Sequence, residues 1–114
     1  MSGRIERDIE RKVCKQAERE GWLALKLVCL GHRGFPDRWF IREGPTIVLI
    51  EFKKPGEKPR KLQRHVCKML QKMGMNVHNG IDNYDDGMQA LRTAPISGAS
   101  AEGNDEAGES GVIS

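Results

Sequence analysis

The sequence predicts a small mixed α/β domain with its elements in the order α-β-β-β-α-β-α. Three observations lead there. Apolar residues recur every fourth position near the start, compact branched runs punctuated by glycine and proline follow, and a second helical stripe comes after them. A chain of 114 residues is enough for one modest core and too short for two. Such an order fits one mixed sheet flanked by helices.

From Arg4 to Glu20 the residues Ile5, Ile9, Val13 and Ala17 mark one side of a helix, and Gly21 supplies its stop. WLALKLVCL, residues 22–30, reads as the first strand, closed by the Gly31 to Gly34 loop. RWFIRE (38–43) is the second, and Gly44-Pro45 turns the chain into a third, Thr46 to Lys53. Thr46, Val48, Ile50 and Phe52 fall on one face of that strand and Ile47 and Leu49 on the other, so it is expected to be central in its sheet. After the loop KPGEKP, Pro59 suits the first turn of a helix. Leu62, Val66, Met69, Leu70 and Met73 form its apolar side, Lys61, Arg64, Lys68 and Lys72 the opposite one, and Gly74 ends it. MNVHN (75–79) reads as a short strand and Tyr84 to Arg92 as a last helix. From Ala94 onward glycine, serine, alanine and acids dominate, which predicts one folded unit over 1–93 followed by a disordered tail over 94–114.

The formal net charge of +3 understates the folded part, because residues 94–114 carry Glu102, Asp105, Glu106 and Glu109 and no Lys or Arg. Residues 1–93 hold 19 basic against 12 acidic side chains, a balance that favours a polyanionic partner such as nucleic acid, with a merely solubilising basic surface as the alternative. Three widely spaced cysteines, Cys14, Cys29 and Cys67, argue against a disulfide framework and for a reducing, intracellular setting. No apolar run is long enough to cross a bilayer or to act as a signal peptide, so no membrane partner is expected.

Two features carry the chemistry. Asp37 stands directly behind Pro36 in GFPDRWF, and Glu51 interrupts the apolar run of TIVLIEFKK. A charge inside a buried strand is costly unless paired or metal-bound. Side chains two apart on a strand point the same way, which sets Glu51 and Lys53 roughly 6–7 Å apart on one face. With Asp37 entering the neighbouring strand, two carboxylates can meet at one edge. A hard divalent cation relieves their repulsion and can activate a water for attack on phosphorus. The bland reading is a Glu51–Lys53 salt bridge.

Pro36-Asp37, then thirteen residues, then Glu51-Phe52-Lys53 resembles the signature of the PD-(D/E)xK nucleases. The finer pattern GHRGFPDR, IVLIEFKKPGEKP and KLQRHVCKMLQKMG is similar to the VRR-NUC (virus-type replication-repair nuclease) family, in particular its small phage-type stand-alone members, over roughly residues 5–92. The resemblance implies a restriction-endonuclease-like core and a Mg²⁺- or Mn²⁺-dependent DNA endonuclease. It implies Asp37 and Glu51 as metal ligands, the Phe52 backbone carbonyl as another, Lys53 as the catalytic lysine and Gln63 as a helper on the second helix. An acid of the first helix completes the site. Glu6 lies in the apolar stripe between Val13 and Ala17 and precedes Ile9 by three, as in the family, with Glu10 as the alternate. Branched DNA such as a four-way junction, a homodimer, a role in DNA repair and a cytoplasmic, phage-encoded setting are further implications, and no small-molecule cofactor is expected.

Lys26, His32, Arg33, Arg38 and Lys54 cluster around the proposed site in sequence, and with Lys61, Arg64, Lys68 and Lys72 they make a candidate DNA track. Three other readings compete. One is a non-catalytic DNA-binding module that keeps the fold, and another is a flap or other-structure nuclease. The third is a zinc site from Cys29 with His32 and His65 with Cys67, whose spacing is not that of paired zinc ligands. Nothing around His32, His65 or His78 resembles a histidine-based nuclease motif.

Overall fold

The computed structural model describes residues 2–95, and side chains from Ile5 onward. The elements are α1 (Ser2–Arg19), β1 (Leu23–Lys26), β2 (Arg38–Arg42), β3 (Thr46–Phe52), α2 (Lys61–Lys72), β4 (Asn76–Ile81) and α3 (Tyr84–Arg92). Their order is the one the sequence predicts. The predicted tail lies outside the described residues from position 96 on. Among the described residues no helix is long and apolar enough to cross a membrane.

The four strands form one mixed sheet in the order β1-β2-β3-β4. β1 and β2 pair antiparallel, as do β2 and β3 across the tight Glu43–Pro45 turn, whereas β4 returns parallel to β3 through α2. β3 is therefore interior, as its two apolar faces predict. Its even-numbered residues Val48, Ile50 and Phe52 join Phe40, Val13, Ala17, Trp22, Met88 and Leu91 in the core under α1 and α3. Leu49 joins Cys67 and Val77 under α2, with Trp39, Ile47 and Leu70 around them. Each Val, Leu, Ile, Phe or Met among them, taken fully out of water, contributes about 1.5–3 kcal/mol. Helices α1 and α3 approach closely because Gly87 has no side chain: a Cβ there would stand 2.8 Å from Val13 Cγ2. Asn83 caps α3 by accepting from the Asp86 N–H at 2.7 Å, and Asp85 and Asp86 complement the positive end of the helix. Arg92 at the other end of α3 holds Glu20, just past α1, with Nη2 to Oε2 at 2.5 Å.

Four expectations are corrected. β1 covers only Leu23–Lys26, not residues 22–30. Leu27 N still donates to Asp37 O at 2.8 Å, but Val28 and Leu30 are 77% and 86% exposed, so the branched run continues as a loop with no face to pack on. Ile5 is exposed, and the buried stripe of α1 begins further along, around Ile9, Val13 and Ala17. On α2, Leu62 and Met73 are exposed, while Gln63, Val66 and Cys67 are buried. The covered face is thus rotated toward a polar residue whose hydrogen bonds offset the cost of burying it. The last strand runs to Ile81 rather than stopping at 79.

Candidate active site

The antiparallel register of β2 and β3 pairs Trp39 with Leu49 and Arg38 with Ile50. One step further along the same register, Asp37 comes opposite Glu51. Asp37 lies just before β2, yet its carbonyl accepts from Leu27 N, so its backbone is fixed between two neighbours. Alternation puts Asp37 and Glu51 on the face of Trp39 and Leu49, the side covered by α2.

Glu51 is half-buried, and its carboxyl is pushed up to about 7, first by burial and next by the negative charge of Asp37. Lys53 and a backbone hydrogen bond from Asp37 pull the other way. Two carboxylates held close in a partly dry setting repel one another, and a positive ion between them would relieve that repulsion. Lys53 is 6% exposed, and its backbone N–H donates to Ile81 O at 2.7 Å. The ladder to β4 slips between Glu51, opposite Asn79, and Phe52, opposite Ile81, which leaves Gly80 as the extra residue. Among the described residues Lys53 forms no ion pair, so the Glu51–Lys53 salt bridge is absent there.

The two acids of α1 have different surroundings. Glu6 is half-exposed and its carboxyl is raised, chiefly by burial, then by Glu57, with Glu10 and Asp37 adding to it and Lys53 opposing. Glu10 is buried and engaged: it accepts a short hydrogen bond from Arg38 Nε, and Lys26 Nζ stands 3.6 Å away. Lys26 also faces Asp37 at 3.8 Å. Glu10 thus fastens α1 to the β1–β2 pair, while Glu6 stands in the field of the site. Arg38, expected on the DNA track, is occupied by Glu10.

Gln63 is buried, and both ends of its amide are engaged. Nε2 donates to Glu51 Oε2 at 3.3 Å, and Oε1 accepts from the Arg60 N–H at 2.9 Å. It caps α2 and reaches the carboxylate at once. The basic residues Lys61, Arg64, Lys68 and Lys72 are all exposed on α2, as are His32 and Arg33 on the loop before β2, and Lys54 is half-exposed. His32 packs edge-on against Phe35. All three cysteines are free: Cys14 and Cys67 are buried and Cys29 is half-buried. Two residues near the site were not anticipated. Glu57 acts on Glu6 from the KPGEKP loop, and Arg60 borders a small cleft beside Gln63. Neither has a local pattern that sets it apart from an ordinary loop charge.

Among the described residues no three His, Cys, Asp or Glu side chains are grouped so as to enclose a metal ion by themselves. The two opposed carboxylates, with a backbone carbonyl and waters as further oxygens, are a donor set of the kind that Mg²⁺ accepts. The residues present therefore fit a hard divalent cation and offer no comparable nitrogen or sulfur set.

No family model matches the chain. A solved chain described as "VRR_NUC domain" superposes with a TM-score of 0.71 over 78% of this chain and 96% of its own, at 23% identity. The chain has the VRR-NUC fold. The curated relative "Putative nuclease p44", from Acyrthosiphon pisum secondary endosymbiont phage 1, is 38% identical over 58 residues, which are 51% of this chain. The match spans 62% of that relative's length, less than two thirds of it. On the VRR-NUC fold, Asp37, Glu51, Lys53 and Gln63 all come from one continuous stretch, the β2–β3 hairpin and the start of α2.

Proposed function

We propose that this chain is a metal-dependent DNA endonuclease of the VRR-NUC family. The observation that carries the reading is the opposition of Asp37 and Glu51 across the β2–β3 register, with Lys53 buried beside them. The VRR-NUC fold and the phage relative's name support it. Asp37, Glu51 and the Phe52 carbonyl would hold Mg²⁺ or Mn²⁺, with Glu6 as the acid of α1 and Glu10 as its alternate. A cation bound there supplies a water of lowered pKa and stabilises charge on a phosphoryl oxygen. Lys53, an ammonium without an ion-pair partner among the described residues, is available to the substrate's phosphate oxygens and can stabilise the charge that builds there. Gln63 holds Glu51 in one orientation. The exposed cations of α2 would bind the DNA backbone, a sequence-independent and salt-sensitive contact.

Branched DNA is the substrate class that the resemblance favours, with a homodimer as the acting form. One domain carries one site, and a four-way junction needs two symmetric cuts. The test is cleavage of four-way junction, flap, duplex and single strands with Mg²⁺, Mn²⁺ or EDTA, wild type against Glu51→Gln, Asp37→Asn and Lys53→Ala. Each variant is expected to stop turnover while DNA binding persists. Equal cleavage by wild type and Glu51→Gln would end the reading.

A further inference from the structure

Beside the carboxylates lies a second, smaller feature, a cleft of about 150 Å³ lined by Arg33, Gly34, Arg60, Leu62 and Gln63. Its size is well below the roughly 300–1,000 Å³ of a pocket for a drug-sized ligand, and suits one compact group. Its lining holds two guanidinium-bearing residues and no acid. Among the described residues neither Arg33 nor Arg60 forms an ion pair, whereas Arg38, Lys26, Arg11 and Arg92 all have carboxylate partners. Two like charges brought to one cleft repel unless an anion joins them.

The backbone is built to bring them together. Gly34 has φ +85°, and a Cβ on it would stand 2.8 Å from Leu62 Cγ and 3.3 Å from the Leu62 carbonyl carbon. Only glycine lets the loop press onto α2 in this way, and that contact brings Arg33 and Arg60 to the lining of one cleft. Gln63 connects the cleft to the acids, since the amide that lines it also donates to Glu51 at 3.3 Å. An anion in the cleft is thus one side chain away from the site of cleavage.

We propose that this cleft seats a backbone phosphate of the DNA strand next to the scissile one, with Arg33 and Arg60 as its cationic walls and Gln63 shared with Glu51. The inference rests on the nuclease reading and names the subsite that positions the strand. Arg33 and Arg60 are positioning residues: they hold the neighbouring phosphate and do not touch the reacting atoms. Guanidinium forks match phosphate oxygens in pairs, so lysine is an imperfect substitute.

The experiment uses the full chain and two readouts. First, thymidine 3′,5′-bisphosphate is titrated in EDTA while the amide resonances of Gly34 and the Gln63 side chain are followed. They are expected to shift in the wild type, with binding about tenfold weaker or worse in Arg33→Ala/Arg60→Ala, the effect of losing charged hydrogen bonds, and intermediate in Arg33→Lys/Arg60→Lys. Second, the double alanine variant is expected to raise KM for DNA cleavage about tenfold with kcat nearly kept, and to lower the salt slope of DNA binding by about 0.9, the value for one phosphate rather than two. Shifts that persist undiminished in the double alanine variant, or none in the wild type, overturn the subsite even where DNA is still cut in a Glu51-dependent way. Arginine-dependent shifts in a protein whose DNA cleavage is indifferent to Glu51→Gln would leave the anion site standing and sink the nuclease reading instead.

Discussion

Gln63 Nε2 donates to Glu51 Oε2 across 3.3 Å, and through that bond α2 is fastened to the carboxylate end of β3. The same amide accepts from the Arg60 N–H, so one side chain serves the fold and the site together.

Replacing it separates the two roles. Gln63→Leu leaves the Arg60 N–H without its acceptor and Glu51 without its donor, at an expected cost of about 1–3 kcal/mol in urea unfolding. Cleavage is expected to fall by more than the folded fraction does. Gln63→Glu sets a further negative charge against Glu51 and is expected to move the rising limb of the pH–rate profile to higher pH. An unmoved profile would show that position 63 does not sense the Glu51 carboxylate.

The two acids of α1 are expected to part company. Glu10→Gln removes the charge that holds Arg38 and Lys26, and thermal unfolding is expected to register a loss of about 1–3 kcal/mol. Glu6→Gln removes one negative charge from among Glu57, Glu10 and Asp37. It is expected to leave stability level or slightly improved while cleavage collapses. The opposite pattern would assign the metal-binding role to Glu10.

Stability without metal is expected to depend on pH through Glu51. Its carboxyl lies at about 7 in the folded chain against 4.5 for the free group. Between those values the folded state holds more protons than the unfolded state, so stability declines as pH rises. Glu6, also raised, contributes with the same sign. Melting in EDTA between pH 5 and 7.5 is the measurement; Glu51→Gln is expected to flatten the decline, and added Mg²⁺ to oppose it in the wild type alone.

The exposed stripe of α2 gives a salt test. Lys68→Glu/Lys72→Glu is expected to weaken DNA binding and reduce its salt dependence, with folding unchanged because both side chains point away from the core. A junction that engages two subunits is expected to lose more affinity than a short duplex. Unchanged affinity on both would leave Lys68 and Lys72 as solvated charges.

Much of this was legible in the sequence. The order of elements follows from hydrophobic period and from glycine and proline punctuation, and Asp37 and Glu51 betrayed themselves as acids in apolar surroundings. Periodicity failed where apolar residues do not pack, at Val28 and Leu30 in the loop and at Leu62 and Met73 on α2. A helix wheel gives the spacing of side chains but not the rotation at which the helix docks, and here Gln63 decides that rotation by its hydrogen bonds. The Arg33–Arg60 cleft was beyond reach for a different reason: its two walls lie far apart in the chain and meet only because Gly34 settles against Leu62.

The closeness of the site residues in sequence bears on how the molecule assembles. Asp37 and Glu51 face each other across a single hairpin closed by a tight turn, and Lys53 stands two residues beyond Glu51, so the loop that must close to unite these three is short. Glu6 is tied to them only after the chain has looped back through β1. Closing that longer span costs more entropy, and contacts of small sequence separation form sooner. The carboxylate pair is therefore expected to gather early, with its mutual repulsion, and the first helix to join it later. In a cell, divalent ions are already present when the hairpin forms, and a cation held between Asp37 and Glu51 would bias the chain toward its folded arrangement before the first helix has docked.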